Sequence, residues 1–201
     1  MIQLRECQDL EYIFKKTLFV LFIACPYRVA EFKAISLASS SLSPHHVLLK
    51  THLLFCSKNQ SDSFCPLPIV VQKFEEDPRI CPVTLINNYV RCTEALCRDR
   101  NVLRPDQLWI GVNLRPLSVN TISKWVKDII FLADPSAGTF RFGVHSIRSQ
   151  VASHLLARNV PIKEIIAAMN WRSSSTFTRF YARLGIETAV RAVLAGQLPT
   201  V

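Results

Sequence analysis

The stretch 145–181 begins with His-Ser-Ile-Arg at 145–148 and ends with Asn-Trp-Arg-Ser-Ser-Ser-Thr-Phe-Thr-Arg-Phe-Tyr at 170–181. Residues three positions apart lie on one face of a helix, so we expect His145 and Arg148 to point into one pocket. His145 offers a ring nitrogen, and Arg148 offers a planar fork of donors that suits phosphate oxygens. Trp171 adds an indole donor, and Tyr181 adds a phenol able to act as a nucleophile. These side chains together suit phosphoryl transfer without a metal ion.

The composition indicates one compact domain with a polyanionic partner. The chain has 201 residues, of which 49% are apolar and 19% are charged, and this is enough for a full hydrophobic core. Twenty-four Lys and Arg residues against fifteen Asp and Glu residues give a formal net charge of +9. Nucleic acid is the first candidate for a partner of such a chain, and an acidic membrane surface is the second.

The cysteines and the first apolar run both indicate an intracellular globule. None of the seven cysteines forms a Cys-x-x-Cys pair or a Cys/His cluster with zinc spacing, so we interpret them as reduced thiols that mostly fill the core. The apolar run 17–25 is too short to span a bilayer and lacks the cleavage pattern of a signal peptide. We therefore predict that it is a buried helix.

The spacing of apolar residues predicts a mainly helical chain. Intervals of three and four predict helices at 4–24, 27–37, 82–97, about 117–130, 146–157, 161–169, 176–183 and 186–195. Pro161 is expected in the first position of its helix, where proline is favoured. Ile162, Ile165, Ile166 and Met169 are expected to form the core face of that helix.

Two runs of β-branched and apolar residues, 47–55 and 67–71, predict a β-hairpin. The polar, turn-forming cluster 57–63 separates them and predicts a long hairpin tip, which carries Lys58. With the helices, this predicts an α+β fold that is mainly α and has a small antiparallel β-sheet.

The residues of the opening stretch carry a resemblance to a known family. His145-x-x-Arg148, followed by Trp171 and then Tyr181, resembles the catalytic signature of the tyrosine recombinase (phage integrase) family. The resemblance is greatest to the branch of eukaryotic DIRS-like or Crypton-like mobile elements. Trp171 and Tyr181 are ten residues apart, one more than in many bacterial relatives, and a spacing of nine would put Phe180 in the position of the nucleophile.

Two upstream features are similar to the same family. Arg28-Val-Ala-Glu31 resembles the turn that holds the first catalytic arginine of the family, with an acid three residues later. Taken alone, this spacing is equally that of a surface ion pair one helical turn apart. Lys58 stands where the family has a lysine on a hairpin, and Lys50 and Lys73 are the alternatives for that lysine.

The resemblance implies that residues 1–201 form a single catalytic domain like that of a tyrosine recombinase, with the N-terminal core-binding domain absent. It implies that Tyr181 attacks DNA and leaves a 3′-phosphotyrosyl intermediate, so that strands are broken and rejoined in DNA recombination and integration. Arg28 and Arg148 would clamp the two non-bridging phosphate oxygens, and Trp171 would donate its indole hydrogen to the same phosphate.

The remaining roles also follow from the resemblance. His145 would serve as a donor or proton acceptor, Lys58 would protonate the departing 5′ oxygen, and Glu31 would hold an Arg or His in place. The implied enzyme is metal-independent and uses no cofactor.

The resemblance further implies double-stranded DNA as the partner, a homo-oligomer on DNA and a nuclear location, with no membrane and no small-molecule substrate. Basic residues that would meet DNA phosphates are Lys124, Lys127, Arg172 and Arg179. One alternative is a catalytically inactive, domesticated DNA-binding remnant of a mobile element. Another is a helical protein-interaction domain whose positive charge only aids solubility.

Overall fold

The computed structural model describes residues 10–56, 68–133 and 143–171. Within these ranges the chain forms six helices and one three-stranded antiparallel sheet, so the predicted α+β class is confirmed. In chain order the elements are α1 (Leu10–Ala24), α2 (Val29–Lys33), β1 (Ile35–Leu42), β2 (His46–Thr51), β3 (Ile69–Gln72), α3 (Pro82–Asp99), α4 (Val119–Ala133), α5 (Val144–Ala157) and α6 (Ile162–Ala168). The helices predicted at 176–183 and 186–195 lie outside the described residues.

Helix α1 lies at the centre of the main hydrophobic core, as its apolar pattern predicted. Its buried residues recur every three or four positions, which is the period of one helix face. The Phe14 ring meets the rings of Tyr89, Trp109 and Trp125 edge-on, with centroids 5.3, 5.1 and 4.4 Å away. None of the helices in the described part of the chain is long and apolar enough to cross a membrane.

The helix predicted at 27–37 is wrong in its second half. Helix α2 ends at Lys33, and strand β1 begins at Ile35, which pairs with Thr51 of β2. The Ile35 carbonyl also accepts a hydrogen bond from the Leu108 N–H at 2.9 Å. These distant partners decide the conformation, because a short apolar segment fits helical and extended spacing equally well.

The predicted hairpin is confirmed as the pair β2 and β3, with shorter strands than expected. Pairing runs antiparallel from His46 opposite Gln72 to Leu49 opposite Ile69. Alternate residues on both strands are buried in the main core, which is the pattern of a sheet covered on one face. The hairpin tip, with Lys58, lies outside the described residues.

Strand β1 was missed by the sequence patterns, and it contains an irregularity between Ser36 and Ser41 where the register to β2 shifts. The Asp106 carboxylate accepts a hydrogen bond from the Ala38 N–H at 2.7 Å, and its backbone carbonyl accepts one from the Leu37 N–H at 2.7 Å. Hydrogen bonds from the Ser36 hydroxyl and from the Ala38 backbone lower the pKa of Asp106. Asp106 therefore supplies the pairing that the irregular part of β1 lacks.

Helix α3 is confirmed and runs two residues beyond its predicted end. The Tyr89 hydroxyl donates to the Ile110 carbonyl and accepts from the Ile110 N–H, both at 2.9 Å. Burial of this phenol raises the pKa of Tyr89. The two bonds hold the segment before α4 against α3.

Helices α5 and α6 pack around a second, smaller core of Ala152, Ile165, Met169 and Trp171. The prediction that Ile162 belongs to this core is wrong, since its side chain is 46% exposed. Pro161 caps α6 and does not occupy its first position. Ile165 is the first residue of α6 that is buried in this core, and residues 162–164 of the helix are exposed to solvent.

The cysteine interpretation is confirmed for four of the five cysteines that the structure describes. Cys25, Cys81, Cys92 and Cys97 are buried and form no disulfide within the described ranges, whereas Cys56 is exposed. Burial raises the pKa of Cys25 to about 12. The Cys25 thiol therefore behaves as a small apolar side chain and is chemically inert.

Candidate active site

The first part of the site is the start of α2, where Arg28 is the residue before the helix. Glu31 reaches back from the first turn: one carboxylate oxygen accepts the Arg28 backbone N–H at 2.8 Å, and the other lies 3.4 Å from Arg28 Nη1. A carboxylate is favoured at a helix N-terminus by the helix dipole. The Glu31 side chain is 3% exposed and that of Arg28 is 27% exposed, so this is not the surface ion pair that the spacing also allowed.

The second part is α5, which begins at Val144 because the Gly143 N–H donates to the Ser146 hydroxyl at 3.2 Å. His145 is exposed in its first turn, and Arg148 is 7% exposed one turn later. Nη2 of Arg148 donates to the Met169 carbonyl. The guanidinium carbon also lies 5.3 Å from the centre of the Trp171 ring, which is a cation–π distance.

Trp171 is held by the way in which α6 ends. Asn170 adopts the left-handed region with φ of 50°. Its N–H donates to the Ala167 carbonyl, and the Trp171 N–H donates to the Ile166 carbonyl, both at 3.0 Å. This pair of bonds is the Schellman arrangement, which satisfies the last carbonyls of a helix. It turns the chain so that Trp171 is buried against Arg148.

Tyr27 connects the two parts of the site. The pKa of Tyr27 is raised to about 12, first by burial and then by the neighbouring Cys25 and Glu31, while the positive charge of Arg148 opposes this rise. The Tyr27 hydroxyl therefore lies within electrostatic reach of both Glu31 and Arg148. The start of α2 and the middle of α5, far apart in sequence, thus face one region of the molecule.

The candidate lysines of the described residues lie on the surface. Lys124 is exposed on α4, with its ammonium 3.4 Å from the Asp128 carboxylate. Lys127 is also exposed on α4. Its side chain passes beside the start of α5, since a Cβ added at Gly143 would lie 3.4 Å from Lys127 Cε.

The two alternatives to Lys58 lie on the sheet side. Lys50 is exposed in β2, and Lys73 follows β3 with its ammonium 2.9 Å from Glu75. The candidate residues Lys58, Arg172, Arg179 and Tyr181 lie outside the described residues.

Two residues that touch this region were not identified from the sequence. Tyr27 had only its position before Arg28 as a signal, and Asn170 had only its position before Trp171. In both cases the informative property is burial, which local spacing does not predict. Within the described ranges, no three His, Cys, Asp or Glu side chains lie close enough together to hold a metal ion.

Residues 4–187 of the chain match the phage integrase family. The match covers most of the chain, so the chain belongs to this family, the tyrosine recombinases. The fold, mainly α with a small antiparallel sheet, is that of their catalytic domains. None of the curated proteins matches the chain.

Two solved structures similar to this chain are recombinases. The crystal structure of XerA recombinase has 15% sequence identity and a TM-score of 0.58, over 95% of this chain and 65% of XerA. The XerH site-specific recombinase, bound to a palindromic difH substrate in a post-cleavage complex, has 16% identity and a TM-score of 0.61, over 91% of this chain and 47% of XerH. At these identities the likeness establishes the fold. The chain spans less than two thirds of either recombinase.

Proposed function

We propose that this chain is the catalytic domain of a site-specific tyrosine recombinase, which breaks and rejoins DNA through Tyr181. Membership of the phage integrase family over residues 4–187 supports this class of reaction. The observation that carries the proposal is that Tyr27 lies within electrostatic reach of both Glu31, which holds Arg28 with a buried carboxylate, and Arg148. The proposal is that both guanidinium groups serve one phosphate, with Glu31 holding Arg28 in place.

The proposed reaction exchanges one phosphodiester bond for another. The Tyr181 oxygen attacks phosphorus, the bond to the 5′ oxygen breaks, and a 3′-phosphotyrosyl bond forms. In this proposal Lys58 gives a proton to the departing 5′ oxygen, and His145 accepts the proton of the phenol. Attack by a 5′ hydroxyl reverses these steps and rejoins the strand.

Stabilisation of charge is the proposed role of the remaining side chains. The phosphate gains negative charge in the transition state, and fixed donors aimed at its oxygens lower the barrier. Arg28 and Arg148 would each form charge-assisted hydrogen bonds to the non-bridging oxygens. Trp171 packs on the guanidinium of Arg148, so it would orient that group as well as donate from its indole.

The partner we propose is double-stranded DNA, bound by a homo-oligomer. The net charge of +9 supports a polyanionic partner. Lys124, Lys127, Arg172 and Arg179 are the proposed phosphate contacts. The affiliation with DIRS-like or Crypton-like elements, the nuclear location and the single-domain assignment of residues 1–201 are further parts of this proposal.

Covalent trapping on nicked duplex DNA tests the proposal, with a random-sequence pool where the target site is unknown. The wild-type chain is compared with Tyr181→Phe and with the double variant Phe180→Tyr/Tyr181→Phe. We expect an SDS-resistant DNA adduct with the wild type and none with Tyr181→Phe, which should still bind DNA. An adduct that reappears only in the double variant would move the nucleophile to position 180. DNA binding without any adduct would favour the inactive remnant.

A further inference from the structure

Three helices of this chain end in the same way, with asparagine in the left-handed region. Asn101 follows α3 with φ of 51°, Asn159 follows α5 with φ of 59°, and Asn170 follows α6 with φ of 50°. In each case the asparagine N–H and the next N–H bond back to carbonyls of the last helical turn. Asparagine is one of the few residues that tolerate this backbone conformation. The backbone alone therefore accounts for the presence of an asparagine at all three ends.

The side chain of Asn170 differs from the other two. Asn101 and Asn159 are exposed, whereas Asn170 is 6% exposed. Its Nδ2 is buried and has no hydrogen-bond partner among the described residues. A buried donor without a partner is costly, and glycine would satisfy the same backbone without that cost. The amide at position 170 therefore needs an explanation beyond the end of the helix.

The neighbours of Asn170 indicate what the amide could meet. Met169, the preceding residue, accepts a hydrogen bond from Arg148, and Trp171, the following residue, packs on the Arg148 guanidinium. Asn170, Arg148 and Trp171 are buried to nearly the same extent. This corner thus gathers an amide, a guanidinium and an indole, all of which donate N–H groups. Convergent donors of this kind suit the oxygens of a phosphate.

We propose that Nδ2 of Asn170 donates a hydrogen bond to a non-bridging oxygen of the DNA phosphate held by Arg148. The inference rests on the proposed function and adds a substrate contact to it. Asn170 neither gains nor loses a proton in this role. It supplies a fixed neutral donor, which leaves the charge of the phosphate to the arginines.

The test compares Asn170→Gly with Asn159→Gly, a matched pair at the same backbone conformation. Glycine adopts the left-handed region freely, so neither variant should lower the thermal unfolding temperature. We expect Asn170→Gly to slow adduct formation about a hundredfold to a thousandfold, the range seen when one oxyanion donor is removed. Asn159→Gly should react at the wild-type rate. Equal rates for the two variants would overturn the inference and leave the proposed function standing.

A methylphosphonate at the cleavage position separates a contact to substrate from a structural effect. This group replaces one non-bridging oxygen by methyl, in either of two stereoisomers. The loss caused by Asn170→Gly should vanish for the stereoisomer that lacks the accepted oxygen and persist for the other. A loss of the same size for both stereoisomers would overturn the inference.

The side-chain amide resonance of Asn170 gives a readout that does not need catalysis. The two N–H signals of this amide are assigned as the pair that is missing from the ¹⁵N spectrum of Asn170→Gly. Duplex DNA is then titrated into ¹⁵N-labelled Tyr181→Phe protein. We expect this pair to shift with bound DNA, because its N–H gains an acceptor. An unshifted pair at saturating DNA would overturn the inference. If the wild type forms no adduct, the proposed reaction fails while this titration still decides whether Asn170 meets a phosphate.

Discussion

At the scale of single residues, burial decides how much the pair of Arg28 and Glu31 contributes to the stability of the fold. Exposed ion pairs one helical turn apart are worth only about 0.2–0.5 kcal/mol. Here the Glu31 carboxylate is almost fully buried and also accepts the Arg28 backbone N–H. Removing it would leave donors at the start of α2 without an acceptor, which costs more than the loss of a solvated pair.

We expect Glu31→Ala to lower the free energy of unfolding by about 1–3 kcal/mol, measured by urea denaturation. Adduct formation should fall as well, because the Arg28 guanidinium is no longer held. Glu11→Ala is the matched control, since Glu11 forms an exposed pair with Lys15 at 2.6 Å on α1. That variant should lose about 0.5 kcal/mol or less. Equal losses for the two variants would contradict the role given to burial.

At the scale of elements, β1 shows how a strand with weak local preference is stabilised from elsewhere. Residues 38–41 read Ala-Ser-Ser-Ser, which is poor strand sequence. Asp106 nevertheless holds the Ala38 and Leu37 N–H groups, and β1 pairs with β2. Pairing with β1 therefore helps to fix the position of β2 in the sheet.

The contribution of Asp106 should depend on pH in a defined direction. Its pKa is lowered in the folded chain, first by the Ser36 hydroxyl and then by the Ala38 N–H. The carboxylate therefore stabilises the fold above its unfolded pKa of about 3.9, and this stabilisation is lost as the pH falls through the lower folded value. We expect Asp106→Ala to cost about 1 kcal/mol at pH 7 and less near pH 3.

Urea denaturation at both pH values measures this difference. Asp128→Ala serves as the control, since Asp128 pairs with the exposed Lys124 one turn away on α4. That variant should change the free energy of unfolding by less than about 0.5 kcal/mol. A difference between wild type and Asp106→Ala that stays constant from pH 7 to pH 3 would argue against the carboxylate as the cause.

At the scale of the whole molecule, α5 joins the two hydrophobic cores. Val144 and Ile147 pack on the main core, whereas Val151 and Ala152 belong to the smaller one. Arg148 lies between these two groups on the helix. Arg148 therefore lies where the two cores meet. A small shift of α5 relative to either core would move the Arg148 side chain.

The overall positive charge predicts a steep dependence of DNA affinity on salt. Each phosphate neutralised by a lysine adds about 0.9 to the slope of log affinity against log salt concentration. Lys127→Ala should lower that slope by about this amount in a mobility-shift series, because Lys127 is exposed beside the start of α5. Lys15→Ala should leave it unchanged, since the Lys15 side chain is only 22% exposed and pairs with Glu11. An unchanged slope for Lys127→Ala would remove Lys127 from the DNA contacts.

The sequence by itself determined those features that depend on local spacing. Helices α1, α3, α4 and α5 and the hairpin of β2 and β3 followed from apolar periodicity, because that period decides which face of an element can be buried. The family followed from the order of Arg28, Glu31, His145, Arg148 and Trp171, together with residues outside the described ranges. These properties need no knowledge of which elements pack together.

Only the tertiary structure decided the features that depend on partners distant in sequence. Strand β1 exists because Asp106 and β2 satisfy its backbone, and Ile162 is exposed because the second core ends one turn short of it. Burial distinguishes Glu31 from a residue of a surface ion pair, and it distinguishes Asn170 from the exposed asparagines that follow α3 and α5. In each case the outcome depends on whether elements distant in sequence pack against the residue or bond to it, which local spacing does not predict.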